Sequence, residues 1–356
     1  MKIVYLSTKI TGSGGTAKIT ALKANNFVER WGFEVSIIST NDETDKPFYP
    51  FDPRVKFYLL NDKMTDLFAI IPFYKRVQRI VKEINPKVVI VNDNGFKAYF
   101  STLFLSGTTL WFEVHGSRRF LFKNGQNTGK NTLISKVSCF LYKKFDTLVL
   151  LNEESKQEWR HSNVVVIPNF VESDGTLHKT ANSKAIIAIG RVSEEKGYDR
   201  MLTIFERISV AYPDWSLHIY GKQEDPILLK TLLDRKLAQV FFHGETRSIS
   251  QSIAESAFVI HTSYNEGMPM ALLEVLDIGK TVVAFNVPFG VKEIVRDQHN
   301  GFLVQDGDLE VFEQRIRLLI ANQALRSELE GNAKESIKQY GAQAVLEKWK
   351  ALFQSL

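Results

Sequence analysis

The segment Ser263-Tyr264-Asn265-Glu266-Gly267-Met268-Pro269-Met270-Ala271-Leu272-Leu273-Glu274 carries two carboxylates eight residues apart. It follows an apolar run, Phe258-Val259-Ile260-His261. Proline is well suited to the first position of a helix, where its missing N–H would be unpaired anyway. A helix opening at Pro269 leaves the amides of Met270 and Ala271 free at a positive terminus, a ready site for phosphate. Glu266 then lies in the loop before that helix and Glu274 about a turn and a half inside it. One carboxylate can reach a ribose diol and the other sugar hydroxyls, with phosphate held between them. Taken alone, two glutamates eight apart read more readily as a loop acid plus a solvated helix acid.

A second group tips that balance. Gly190-Arg191-Val192-Ser193-Glu194-Glu195-Lys196-Gly197-Tyr198 follows the apolar run Ala185–Ile189. Arg191 and Lys196 flank one short loop, where two cations can grip a diphosphate and stabilise it as a leaving group.

Loops of this kind need a sheet to present them. Short β-rich runs alternate with amphipathic stretches throughout, the pattern of βαβ units and a parallel sheet covered on both faces. Strands are expected at 2–7, 34–39, 55–60, 87–92, 109–114, 146–151 and 163–167, then from 184 and at 216–220, 239–243, 257–262 and 281–285. Helices are expected near 16–30, 73–84, 96–105, 130–145, 153–160, 198–211, 226–237, 248–255 and 269–279. The rhythm pauses after Ile167-Pro168-Asn169-Phe170, so the chain reads as two doubly wound α/β domains, 1–168 and 169–340, with a cleft between them. A closing helix over 341–356, with Val345, Trp349, Leu352 and Phe353 at helical spacing, should pack back onto the first. In such sheets ligands bind off the carboxyl ends of strands, which is where both groups stand.

At 356 residues, with 44% hydrophobic and 24% charged residues, the chain suits two soluble domains. The single cysteine, Cys139, rules out an intramolecular disulfide and a cysteine-based zinc cage. No two histidines stand at helical metal-ligand spacing, so no metal is expected. The opening Met1–Leu6 is too short an apolar run for a signal peptide, and no run approaches a spanning helix. The expectation is a cytoplasmic chain, able to sit peripherally on the inner face of the cell membrane. Residues 1–170 hold 24 Lys and Arg against 15 Asp and Glu, the remainder 21 against 25. A basic half and a mildly acidic half suggest different partners.

These motifs resemble retaining glycosyltransferase family 4. The matching pieces are Gly190-Arg191 with Lys196-Gly197, the Glu266–Glu274 pair and Ile167-Pro168-Asn169. Gly279-Lys280-Thr281-Val282-Val283-Ala284 and Asn300-Gly301-Phe302-Leu303-Val304 match as well, in the family's order. The resemblance implies the GT-B architecture, two Rossmann-like domains facing across a cleft, and a metal-independent reaction that retains anomeric configuration. It gives Arg191 and Lys196 the diphosphate, Glu274 the ribose and Glu266 the transferred sugar. Pro269 stands where many relatives have glycine. Asn286 stands where aspartate is common, which argues against a catalytic role for its loop.

The first domain matches less closely. Gly14 and Gly15, in Thr11-Gly12-Ser13-Gly14-Gly15-Thr16, suit a loop lying near the donor phosphates and acceptor, since glycine admits a ligand where a side chain would collide. His115, in Glu113-Val114-His115-Gly116, falls where the family commonly has a histidine facing the donor sugar. The implied activity is transfer of a hexosyl or N-acetylhexosaminyl unit from a nucleotide-sugar, UDP-sugar favoured over GDP-sugar. The acceptor would be a glycan or lipid-linked glycan in surface polysaccharide synthesis, with no cofactor.

Three rival readings stand beside this one. Gly12-x-Gly14-x-x-Ala17 with Asp42 fits a dinucleotide fingerprint, but its glycines begin several residues after the strand, and it leaves the second domain's loops unexplained. A sugar-nucleotide epimerase shares the architecture. A nucleotide-sugar sensor without catalysis would not need the complete donor loops. Separately, Arg118, Arg119, Lys123, Lys130, Lys136, Lys143 and Lys144 crowd 117–145 with no acid between them. Phe120, Phe122, Phe140, Tyr142 and Phe145 lie among them, so this stretch reads as an anionic-membrane contact or as a crossover helix with core aromatics. Nucleic acid is not the expected partner.

Overall fold

A computed structural model describes residues 1–42, 46–60, 69–92, 95–117, 129–173, 177, 180 and 182–356, with the backbone alone at Phe96 and 129–135. The chain divides into two compact units, Met1–Pro168 with Leu352–Leu356, and Asn169–Ala351. Each is built on one parallel sheet.

The first sheet contains β1 (Lys2–Ser7), β2 (Glu34–Ser39), β3 (Lys56–Leu59), β4 (Val88–Val91), β5 (Thr109–Val114), β6 (Thr147–Leu150) and β7 (Val164–Val166), in the order β3-β2-β1-β4-β5-β6-β7. β1 and β4 are buried almost end to end, as continuous apolar runs covered on both faces must be. In register, Ile3 faces Val35 on one side and Val88 on the other. The second sheet contains β8 (Ala185–Ile189), β9 (Ser216–Tyr220), β10 (Val240–Gly244), β11 (Phe258–His261), β12 (Val282–Asn286) and β13 (Gly301–Gln305), in the order β10-β9-β8-β11-β12-β13. Strand order therefore reverses between β8 and β11. That is the switch point, where a doubly wound sheet opens a crevice at its carboxyl edge.

The expected strands form within about a residue of their predicted bounds, and β13 is an addition. So are the helices Leu309–Ala321 and Gln323–Ile337. Asn322 ends the first and caps the second, its Oδ1 accepting from the Leu325 amide at 2.9 Å. Residues 153–160 hold a single 3-10 turn, Glu154–Gln157, in place of a helix. The stretch near 96–105 divides into a 3-10 turn, Phe96–Phe100, and one turn of helix, Ser101–Phe104. The last helix is Ala342–Gln354. Its Phe353 ring lies 5.2 Å from Phe27, 5.3 Å from Phe33 and 5.2 Å from Trp111, an aromatic cluster closing the first unit.

No described helix is long and apolar enough to cross a membrane. Of the basic stretch, 118–128 lies outside the described residues, and Lys130 is described by backbone alone. Lys136, Lys143 and Lys144 are exposed on or just after the helix Gly129–Tyr142, with Phe140 62% exposed under the Lys144 ammonium. Tyr142 and Phe145 are core instead, packed on Trp159 and Phe112. A ring fully occupied by core neighbours has no face left for a membrane.

Candidate active site

The loops after β8 and β11 meet at the switch point because glycine lets them. Gly197 has a left-handed backbone (φ +63°), and a Cβ there would sit 2.1 Å from the Thr262 carbonyl oxygen. Thr262 Oγ1 donates to the Gly197 carbonyl at 3.0 Å, and the Tyr264 amide donates to Glu195 O at 2.8 Å. Beneath them Arg200, on the helix Tyr198–Ala211, is 5% exposed. Its Nε donates to Thr262 O at 2.6 Å, Nη2 to Ser263 O and Nη1 to Asp306 at 2.6 Å. Its guanidinium also lies 4.0 Å from the Tyr264 ring centre and 4.1 Å from that of Phe285. A buried cation needs such full pairing, and in finding it Arg200 fastens the backbone leading to Glu266.

Glu266 is buried. Lys196 Nζ donates to its Oε1 at 2.7 Å, and His261 Nε2 lies 3.0 Å from that same oxygen. Burial alone would raise the carboxyl's pKa, but the Lys196 charge and the His261 contact overcome it and hold the group well below the usual carboxylate range. It is an ionised acceptor, not a proton donor.

Arg191 is also engaged. Its Nη1 donates to Glu224 at 2.7 Å and its Nη2 to Glu195. Glu224 belongs to the loop after β9, which pairs with the Arg191 loop through Val192 N to Lys222 O at 2.8 Å. The two cations named for a diphosphate are therefore both matched by carboxylates, a compensation that sequence spacing did not reveal.

The helix beside them spans Met270–Ile278. Pro269 stands just before it, with extended backbone (φ −69°, ψ 109°), rather than as its first residue. The consequence for the amides is unchanged. The ladder begins with Leu272 N and Leu273 N donating to Pro269 O, so the amides of Met270 and Ala271 take no part in it. Glu274 lies half-buried on this helix. The preceding turn is held by Asn169, whose Nδ2 donates to Met268 O at 3.2 Å. It is also held by Gly290, where a Cβ would sit 2.4 Å from Gly267 O. Asn286 is exposed at the end of β12.

In the first unit, Gly14 caps the helix Gly15–Trp31 with extended backbone, and a Cβ there would meet nothing within 4 Å. Asp42, the acid of the dinucleotide fingerprint, accepts from Ile10 N at 3.1 Å, Thr11 N at 2.8 Å and Thr11 Oγ1 at 2.5 Å. Its carboxylate is spent on shaping its own loop, which weakens the oxidoreductase reading. His115 Nε2 lies 3.2 Å from Glu113 Oε1, and Lys23 Nζ donates to that oxygen. Burial works to raise the Glu113 carboxyl, yet Lys23 and then His115 hold it down at about 2. Sequence reading named His115 and passed over Lys23 and Glu113, since a lysine in a helix and an acid in a strand normally face solvent. It likewise passed over His261 and Arg200. Among the described residues, no group of three or more His, Cys, Asp or Glu could hold a metal ion.

Two family models divide the chain between them: Glycosyltransferase Family 4 matches residues 13–174 and Glycosyl transferases group 1 matches 172–336. An uncharacterized glycosyltransferase of Haemophilus influenzae is 30% identical over 99% of both chains. The amylovoran biosynthesis glycosyltransferase AmsD of Erwinia amylovora is 26% identical over 98% of both. The Anabaena Alr3699/HepE structure in complex with UDP and glucose superimposes with a TM-score of 0.81 at 19% identity, over all of both chains. With its two parallel-sheet α/β units of the GT-B type, and these matches along almost its whole length, the chain is a glycosyltransferase and belongs to the family 4, group 1 glycosyl transferases.

Proposed function

We propose that the enzyme moves a hexosyl or N-acetylhexosaminyl unit from a UDP-sugar to a glycan or lipid-linked glycan during surface polysaccharide synthesis, with retention and without a metal. The observation carrying this reading is the meeting of Lys196, His261 and buried Glu266 at a switch point, beside the amides of Met270 and Ala271. The complex of Alr3699/HepE with UDP and glucose supports the donor class. The part of AmsD in amylovoran synthesis supports the acceptor class.

Arg191, Lys196 and the helix start hold the diphosphate, Glu274 the ribose and Glu266 the sugar hydroxyls. The bond from the anomeric carbon to the diphosphate oxygen breaks, and its electron pair leaves with the diphosphate. Positive charge from Arg191, Lys196 and the helix terminus stabilises that charge, the task a metal would otherwise perform. The acceptor hydroxyl attacks from the leaving-group face, and its proton passes to the departing diphosphate oxygen. In this reading the second unit binds the donor. The first serves the acceptor, with Gly14 and Gly15 admitting ligand close to the backbone and His115 contacting the transferred sugar.

Exposed Lys136, Lys143, Lys144 and Phe140 give the first unit a face for the anionic inner surface of the cell membrane, each cation contributing about 1 kcal/mol. Vesicle sedimentation checks this: failure to pellet with anionic vesicles at low salt removes the membrane face.

The direct test is a panel of UDP-, GDP- and ADP-sugars, with and without EDTA, followed by release of the nucleoside diphosphate. UDP release that persists in EDTA, with a product of unchanged anomeric configuration by NMR, is the expected result. NAD(H) binding with no response to any nucleotide-sugar would overturn the proposal.

A further inference from the structure

Glu266 has two carboxylate oxygens, and both side chains that hold it use the same one. Lys196 Nζ reaches Oε1 at 2.7 Å and His261 Nε2 stands 3.0 Å from Oε1. Their positions come from different elements. Lys196 ends the 3-10 turn Glu194–Lys196 after β8, while His261 is the last residue of β11. Two anchors on one oxygen fix the plane of the carboxylate and direct the other oxygen, Oε2, away from both.

We propose that His261 is a positioning residue that, by anchoring Oε1 together with Lys196, reserves Oε2 of Glu266 to accept a hydroxyl of the transferred sugar. The proposal rests on the donor reading above and extends it to a side chain that contacts neither diphosphate nor sugar. The 3.0 Å approach is an ion-pair distance and not an aligned hydrogen bond. An ionised carboxylate oxygen has no proton to give, so a proton on Nε2 is what would close the contact. Lys196 alone would leave the carboxylate free to turn about its terminal bond, because that torsion is soft. With His261 in place the rotation is closed. His261 is itself 5% exposed at the end of an apolar strand, so its ring has little room to move. The side chain it anchors is carried on a backbone already clamped by Arg200. Position and orientation of the carboxylate are thus set by separate residues.

The role predicts a division between sugar and nucleotide. His261→Leu keeps the bulk and removes the donor, so turnover of the UDP-sugar should fall about ten- to hundredfold, the range for losing a hydrogen bond to a charged group. Affinity for UDP, by calorimetry, should stay within about twofold. His261→Gln, whose amide can reach the same oxygen, should recover much of the turnover, whereas the shorter His261→Asn should not. Those two polar variants decide the matter if His261→Leu does not fold. Equal turnover in the Gln and Asn variants, or loss of UDP affinity in step with turnover, overturns the proposal. Wild-type enzyme that binds no UDP overturns the donor reading and this one together. Normal UDP binding with unchanged turnover in His261→Leu removes only the role of His261.

Discussion

Lys196 and Glu266, seventy positions apart, meet at 2.7 Å with side chains 19% and 8% exposed. One was expected to hold diphosphate and the other sugar, and the fold makes each the other's electrostatic support. The contact ties the residue proposed for the phosphates to the carboxylate proposed for the sugar, so a change at either should be felt at both.

Removing one partner of a buried pair strands the other. Lys196→Met should therefore destabilise the second unit by about 3 kcal/mol at neutral pH. The sign with pH follows from the depressed carboxyl of Glu266. Its stabilisation is complete above the ordinary carboxylate pKa and is lost as pH falls toward the lowered value. The gap in melting temperature between wild type and Lys196→Met should accordingly be widest near pH 7 and narrow below about pH 4. A gap that does not change with pH would show that the pair contributes nothing through charge.

Glu224 accepts from Arg191 Nη1 at 2.7 Å and occupies one edge of the guanidinium, so under the proposed donor reading it would compete with the diphosphate. Both side chains are roughly two-fifths exposed, so the pair itself is weak, about 0.5 kcal/mol. Glu224→Gln should tighten UDP binding two- to fivefold by calorimetry, because a nearby negative charge is removed, whereas Arg191→Ala should weaken it at least tenfold. Weaker binding in Glu224→Gln would mean that the carboxylate presents the guanidinium instead of withholding it.

The strands were legible because parallel strands are apolar runs bounded by polar turns, and the two donor loops because they follow such runs. β13 was missed although Asn300–Val304 was noticed, since five residues opening on Asn-Gly resemble a turn as much as a strand. Lys23, Glu113 and His261 were illegible for a different reason. Their significance lies in partners 90 residues away in the first case and five away around a loop in the last. Periodicity records which face a residue takes, not which charge it meets there.

The pair in the first unit gives a third prediction. Lys23 and Glu113 are each 1% exposed, and the Glu113 carboxyl is held at about 2. Lys23→Met should cost about 3 to 5 kcal/mol, because it leaves Glu113 charged in the core beside His115 alone. Lys23→Met with Glu113→Leu should recover much of that loss, since neither charge is then buried. A double variant as unstable as the sum of the two single changes, by urea unfolding, would show that the two residues act independently.

Gly197 tests whether the meeting of the two loops matters for function beyond folding. Gly197→Ala pays for the left-handed backbone, about 1–2 kcal/mol, and in addition drives a methyl to within 2.1 Å of Thr262 O. Gly107 has the same backbone handedness (φ +89°), but a Cβ there meets nothing within 4 Å. Gly107→Ala should therefore lower the melting temperature with turnover unchanged. Gly197→Ala should lower it further and reduce turnover at least tenfold, because Thr262 can retreat only by shifting the segment that Arg200 clamps and that carries Glu266. Equal losses in the two variants would leave backbone strain as the whole effect and remove the loop contact from the mechanism.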